Sequence, residues 1–164
     1  MKLLRSLSLF VLLAVLSVTG ISADTFSWRS ATTSDRAEGI LRSLIKTEHA
    51  RVCANTLSGD ARLKWMARYR ATDMVVRGYF SHTTPEGNKV WDFMPAGGIS
   101  FQSAAEILAW NSYPDDYAAR AAYNQFMGSS GHRAAIQSCD YTRLGVGDYK
   151  AGSKRMFVVL FTRP

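Results

Sequence analysis

Three side chains in this sequence combine useful chemistry with an unusual setting: His82, Glu106 and His132. His82 lies in Tyr79-Phe80-Ser81-His82-Thr83-Thr84-Pro85-Glu86-Gly87, and His132 closes Gly128-Ser129-Ser130-Gly131-His132. Each sits at the mouth of a loop beside Gly or Ser, where functional groups are found more often than in core elements. Glu106 stands alone within the apolar run from Ala104 to Trp110. A carboxylate there is costly to bury unless it is paired. It therefore either faces solvent or meets a histidine, an arginine or a metal. If the three converge on one cleft, two imidazoles and a carboxylate could hold Zn²⁺ or another divalent metal with a position left for water. Without metal, the carboxylate would fix an imidazole tautomer and raise its basicity, giving a general base with its orienting partner. The third reading is structural: the polar groups pin the loops. The remaining histidine, His49, is flanked by helix-forming residues beside Glu48 and Arg51 and reads as a partly exposed helix residue.

Other chemistries lack their motifs. There is no HExxH and no GxGxxG, and Gly128-Ser129-Ser130-Gly131 is one residue short of GxSxG. Ser129 and Ser130 are too near His132 in sequence to be well placed as nucleophiles for it. Cys53 and Cys139 are the only cysteines and have no CxxC spacing, which argues against a cysteine zinc site.

The elements that must position these groups are mostly helical at first and extended at the end. Ser34 or Asp35 can cap a first helix that carries Ile40, Leu41, Leu44, Ile45 and Val52 at helical spacing and ends before Asn55. Asp60 is the N-cap of a second helix, striped by Leu63, Ala67, Ala71 and Met74 and ended by Gly78. Arg62, Lys64, Arg68, Arg70 and Arg77 are spread around the rest of it and read as a solvated face. Phe80 to Gly87 is a loop and Val90 to Met94 one short helical turn. Pro114 opens a third long helix, from Asp115 or Asp116 to about Met127, and a short helix follows His132 through Ile136. Leu144 to Tyr149 and Met156 to Thr162 read as strands, with a hairpin turn at 150–153. Helices first and strands last predict an α+β fold with an antiparallel sheet.

The N-terminus has a different character. Lys2 and Arg5 precede an apolar run from Leu7 to Val18, followed by Gly20, Ala23 and the polar Asp24. This is the order of a secretory signal peptide, and the run is shorter than the roughly 20 residues of a membrane span. Residues 1–23 are expected to be removed, 24–34 to form a flexible mature N-terminus, and 35–164 to form one domain with no transmembrane span. The alternative is an uncleaved N-terminal anchor. The 164-residue chain has 20 basic and 13 acidic residues, a net +7. Without Lys2 and Arg5, 18 basic residues face 13 acidic ones, or +5, which favours anionic polymers or lipid surfaces as partners. The basic residues are dispersed, so nucleic acid is not expected. In an exported chain, Cys53 and Cys139 suggest one disulfide; two buried thiols are the alternative.

Taken in order, these segments resemble the CAP superfamily (cysteine-rich secretory proteins, antigen 5, pathogenesis-related 1) in its short secreted bacterial form. The resemblance runs from about Leu41 to Phe161. It rests on the second-helix pattern Leu63, Ala67, Ala71, Asp73 and Met74, then Gly78 and Phe80-Ser81-His82. It continues through Ala105-Glu106-Ile107-Leu108-Ala109, Phe126 to Arg133, Leu144-Gly145-Val146-Gly147 and Val159-Leu160-Phe161. It implies an α–β–α sandwich with a small antiparallel sheet between helices, and a cleft to which His82, Glu106 and His132 contribute. His82 and His132 are the positions that hold a divalent metal in some members. Ser129 stands where many members have a second glutamate. The family has no common enzymatic activity; members bind sterols, fatty acids or proteins. The resemblance thus implies a secreted or cell-envelope binding module for a lipid, polymer or protein, with a metal-dependent hydrolase using Glu106 as the alternative. Two family asparagines are replaced, by Ile107 and Ala135. These positions are expected to lie near each other, behind the cleft, so that its hydrogen-bond framework is altered.

Overall fold

Strand β4 (Lys154–Arg163) lies at the centre of the molecule, with every residue from Arg155 to Thr162 buried. The computed structural model describes residues 33–164; the signal-peptide reading of 1–23 and nearly all of the expected flexible segment fall outside the described residues. In chain order the other elements are α1 (Asp35–Val52), β1 (Ser58–Gly59), α2 (Ala61–Val76), α3 (Val90–Phe93), β2 (Ser103–Asn111), α4 (Asp115–Gly128), α5 (Ser130–Gln137) and β3 (Arg143–Ala151). The strands lie in the order β1-β3-β4-β2. β4 pairs antiparallel with both β2 and β3, while the two-residue β1 runs parallel to β3. The sheet is therefore mixed rather than wholly antiparallel. The addition is small, because only Ser58 and Gly59 enter the ladder on the way from α1 to α2.

Side-chain alternation divides the core in two. Phe157, Val159 and Phe161 pack with Leu41, Ile45, Ala122, Phe126 and Ile136 from α1, α4 and α5. Met156, Val158 and Leu160 pack with Leu63, Ala67, Met74, Val90 and Met94 from the α2–α3 side. The result is the α–β–α sandwich. The apolar run around Glu106 is β2. Both its faces are covered, so its residues form a nearly continuous apolar run rather than alternating.

The caps follow the sequence. The Ser34 side chain accepts from the Ala37 amide, Asp60 accepts from Arg62 and Leu63, and Gly78 takes φ 72° just past α2. Cys53 and Cys139 form the expected disulfide, closing an 86-residue separation. In the chain-entropy picture such a loop contributes about 4–5 kcal/mol. His49 departs from expectation. It is buried, with Nδ1 3.0 Å from the Ile136 carbonyl and Nε2 3.1 Å from Asn55 Oδ1, because its face of α1 turns toward α5 and the disulfide.

Two close approaches set the layer spacing. A Cβ on Gly145 would lie 2.2 Å from the Leu63 carbonyl carbon, and one on Gly147 would lie 2.2 Å from the Arg68 amide nitrogen. Helix α2 thus rests directly on the β3 backbone, and the neighbour that would have to move is backbone. Gly145→Ala or Gly147→Ala is expected to destabilise by about 3 kcal/mol or more, against near-neutrality for an alanine at the unobstructed Gly131; thermal melts compare them.

A buried carboxyl on the same strand gives a pH dependence. Asp148 is fully buried; its Oδ1 accepts from the Ser34 amide at 2.8 Å and its Oδ2 lies 3.4 Å from Arg155 Nε. Burial pushes its carboxyl up to about 7, the neighbouring Glu38 charge adds to this, and the Ser34 amide and Arg155 oppose it. A raised carboxyl gives the folded state the greater share of protons. Its contribution is fully present below the unfolded value and disappears as pH rises through about 7. The melting temperature is expected to fall as pH rises from about 4 to about 7, and Asp148→Asn to flatten that slope.

Candidate functional site

Glu106 is held from two directions. Alternation along β2 places it with Leu108 on the α2 side of the sheet, opposite Leu160 of β4. There its Oε1 accepts from Arg70 Nε at 3.1 Å and its Oε2 accepts from His82 Nδ1 at 2.8 Å. Arg70 does not belong to a solvated face: its side chain is completely buried, as is that of Glu106. The correction has a positional reason. Arg70 lies seven residues after Leu63 and three after Ala67, on the stripe that turns to the sheet. A buried carboxylate required a partner, and the guanidinium beneath it provides one.

The same guanidinium fixes the loop that carries His82. Arg70 Nη1 donates to Tyr79 Oη at 2.6 Å, and Nη2 donates to the Ser81 carbonyl at 3.0 Å. Gly78 reverses the chain, the Tyr79 amide returns to the Met74 carbonyl at 3.0 Å, and the Tyr79 hydroxyl donates to Asp73. Burial, reinforced by the bond to Asp73, pushes the Tyr79 phenol up to about 12. Further out, Arg77 pairs with Glu86 and holds that carboxyl down at about 2. A carboxylate can only accept, so the His82–Glu106 bond places a proton on Nδ1 and leaves Nε2 as the free nitrogen. The His82 side chain is 49% exposed, so this nitrogen belongs to an open site.

His132 enters from the opposite helical layer. It lies in the first turn of α5 rather than ahead of that helix, because Ser129 is the N-cap and accepts from the His132 amide at 3.5 Å. Its ring stands edge-on to Phe126, with centroids 5.4 Å apart. Burial, and then the charge of His82, push the His132 imidazole below its ordinary value of 6.5. The structure therefore joins His82 to Glu106 by a hydrogen bond and couples His132 to His82 through charge. Ser129 serves as a helix cap. Among the described residues, no group of three or more His, Cys, Asp or Glu side chains is placed to hold a metal ion.

Ile107 and Ala135 lie behind the other face. Ile107 points away from Glu106 into the α1–α4–α5 core, and Ala135 packs against that same cluster. The carboxylate's own hydrogen bonds come from Arg70 and His82, so replacing an amide at position 107 removes neither. Arg70, Asp73 and Tyr79 are the residues that sequence reasoning passed over. The helical position of Arg70 and the need of a buried Glu106 for a cation were the available signals.

The chain matches the model of the CAP, or Cysteine-rich secretory protein, family over residues 28–161, and it belongs to that family. Over 122 residues it is 34% identical to the uncharacterized membrane protein YlbC of Bacillus subtilis (strain 168), covering 71% of this chain but 32% of that protein. The chain thus spans less than half the length of the curated relatives it matches. Among solved structures it is similar to an extracellular protein containing a SCP domain from Bacillus anthracis str. Ames, with TM-score 0.67 and 26% identity, over 77% of this chain and 41% of that one. An outer surface protein from Borrelia burgdorferi shares the fold, with TM-score 0.68 and 23% identity, over 81% of this chain and 98% of that one. These two structural neighbours are an extracellular and an outer-surface protein. Among the described residues, no helix is long and apolar enough to cross a membrane.

Two outcomes test the site. Arg70→Met leaves Glu106 buried without its cation and is expected to cost about 3–5 kcal/mol, read as a loss in denaturant midpoint. His132 should titrate below 6.5 by NMR, and His82→Ala should move that midpoint upward, while burial keeps it below the ordinary value. The sign for stability is the reverse of that for Asp148: a lowered imidazole contributes above its unfolded value, and the contribution is lost as pH falls through the folded one.

Proposed function

We propose that this protein is a secreted, non-catalytic recognition module of the cell exterior or envelope, whose cleft holds a divalent metal such as Zn²⁺ between His82 and His132. The observation that carries the non-catalytic reading is the burial of Glu106. Its side chain is completely buried, and each carboxylate oxygen already accepts a hydrogen bond, from Arg70 or from His82 Nδ1. It orients a histidine and presents no exposed oxygen to a water. This disfavours the hydrolase alternative, in which Glu106 would be the general base. Export is supported by the charged and apolar order of the first 23 residues and by the extracellular and outer-surface neighbours.

The donor set suits a labile metal site. His82 offers Nε2 with its tautomer fixed, and burial favours neutral His132, the form that binds metal. Two imidazoles fill two of the roughly four positions that Zn²⁺ prefers, and the rest would come from water or from donor atoms of the recognised ligand. The metal would thus link the cleft to its ligand, and the ligand itself is a lipid, an envelope polymer or a protein.

Calorimetric titration of the protein with Zn²⁺ at about pH 7.5, where an imidazole is mostly neutral, tests this. One-site binding, lost in His82→Ala/His132→Ala and preserved in Ser129→Ala, is expected. Absence of binding by a folded protein would reduce the histidines to loop-pinning groups. Turnover of a peptide or ester that Glu106→Gln abolishes would overturn the non-catalytic reading.

A further inference from the structure

The end of the sheet away from the Glu106 row carries an exposed aromatic cluster that neither the core nor the cleft uses. Trp110, the penultimate residue of edge strand β2, is 45% exposed; Tyr113 is 55% exposed and Tyr117 71%. Trp110 and Tyr113 line one shallow cavity of about 580 Å³ with Asn111, Ser112 and Gln125. Gln125 donates to the Trp110 carbonyl at 3.3 Å, fastening α4 to the strand end. Tyr117 lies in the first turn of α4, just after the loop that carries Tyr113.

One cation sits over the Trp110 ring, and others lie near this end of the sheet. Lys154 places its ammonium 4.7 Å from the Trp110 ring centroid. Lys150 lies on the other arm of the β3–β4 hairpin and pairs with Arg155, which itself pairs with Asn111 of β2. The two acidic residues at this end are already engaged. Asp115 bonds Arg155 at 2.6 Å and lies 3.9 Å from Lys150, and Asp116 bonds Arg36 at 2.5 Å. With both carboxylates matched, the lysines leave this end cationic.

Tyrosine and tryptophan with a polar edge, set among lysines, are the groups that favour the boundary between lipid headgroups and acyl chains. We propose that this end of the protein docks on an anionic lipid bilayer, with Trp110, Tyr113 and Tyr117 at headgroup depth and Lys150 and Lys154 against the phosphates. Charge selects this occupant: the patch is cationic, as is the chain as a whole, at +7. The exposed Trp65, stacked on the half-buried Tyr69, has no cation over its ring among the described residues and is not included.

The test must separate docking by this surface from any membrane affinity of the apolar run at Leu7 to Val18. An environment-sensitive fluorophore on Ser112→Cys of the full chain reads the proposed surface. The same label on Gln102→Cys reads the opposite end of the same strand. Phosphatidylglycerol vesicles should blue-shift the label at 112 and not the one at 102. Pure phosphatidylcholine vesicles should shift neither. Lys150→Gln/Lys154→Gln should weaken the 112 response by roughly thirtyfold, the combined effect of removing two positive charges from an anionic surface. Trp110→Ser/Tyr113→Ser/Tyr117→Ser, all at exposed positions, should abolish it with the melting temperature preserved. A label at 112 that stays water-like, an equal shift at 102, an equal shift with neutral vesicles, or an unchanged response in either folded variant would overturn the proposal. Zinc binding at His82 and His132 is independent of every arm, so failure here leaves the cleft reading standing.

Discussion

The distance between α2 and the sheet is the constraint on which the rest depends. Gly145 and Gly147 let the helix backbone rest on β3 with no side chain between, and the β-ladder carries that spacing across the sheet. Gly145 pairs with Leu160, and Leu160 pairs with Glu106, so all three lie in one row on the α2 face. A helix held that low over β3 can pass over β4 and bring a guanidinium to the carboxylate on β2. At an ordinary helix–sheet separation, with side chains at both glycines, Arg70 and Glu106 would be less closely matched. The two glycines serve as a packing seat for the helix.

The buried ion pair then organises the open face. An isolated charge in this core would be costly, and a pair repays its desolvation only when its remaining donors are satisfied. Arg70 distributes its donors to Glu106, to Tyr79 and to the Ser81 carbonyl, and the last two belong to the segment that delivers His82. The pair that neutralises the carboxylate is thus also the one that fixes the loop. A hydrophobic substitute of matching volume could pack in the same space, but it would leave His82 without its orienting carboxylate. The energetic case for the pair is specificity of geometry more than net stability.

Much of this was legible in sequence, and the missing parts share one cause. Ser34, Asp60 and Gly78 do what their residue types predict, because caps and helix ends are local: the side chain bonds an amide two or three residues away. Cys53 with Cys139 follows from counting. Glu106 was identifiable as a carboxylate that must either face solvent or find a histidine, an arginine or a metal, and it meets the first two. Arg70 and His49 were misjudged because a charged or polar residue is read as exposed by default, and only the strand or helix facing it shows otherwise. The mixed character of the sheet escaped for a similar reason: β1 is two residues whose only signal lies in the partner strand, more than eighty residues later. The close approach at Gly145 and Gly147 is likewise a property of two elements together.

Edge strand β2 connects the two functional regions while keeping them apart. Glu106 and Trp110 lie on the same strand, four residues apart, which is about 13 Å at the rise of an extended chain. Period-two alternation turns both toward the α2 side of the sheet, yet their partners differ. Glu106 is buried and takes Arg70, whereas the Trp110 indole is exposed and takes Lys154. A protein held at a lipid surface through Trp110 would hold Glu106, and the His82 ring bonded to it, at a position about four extended residues along β2 from the docked indole.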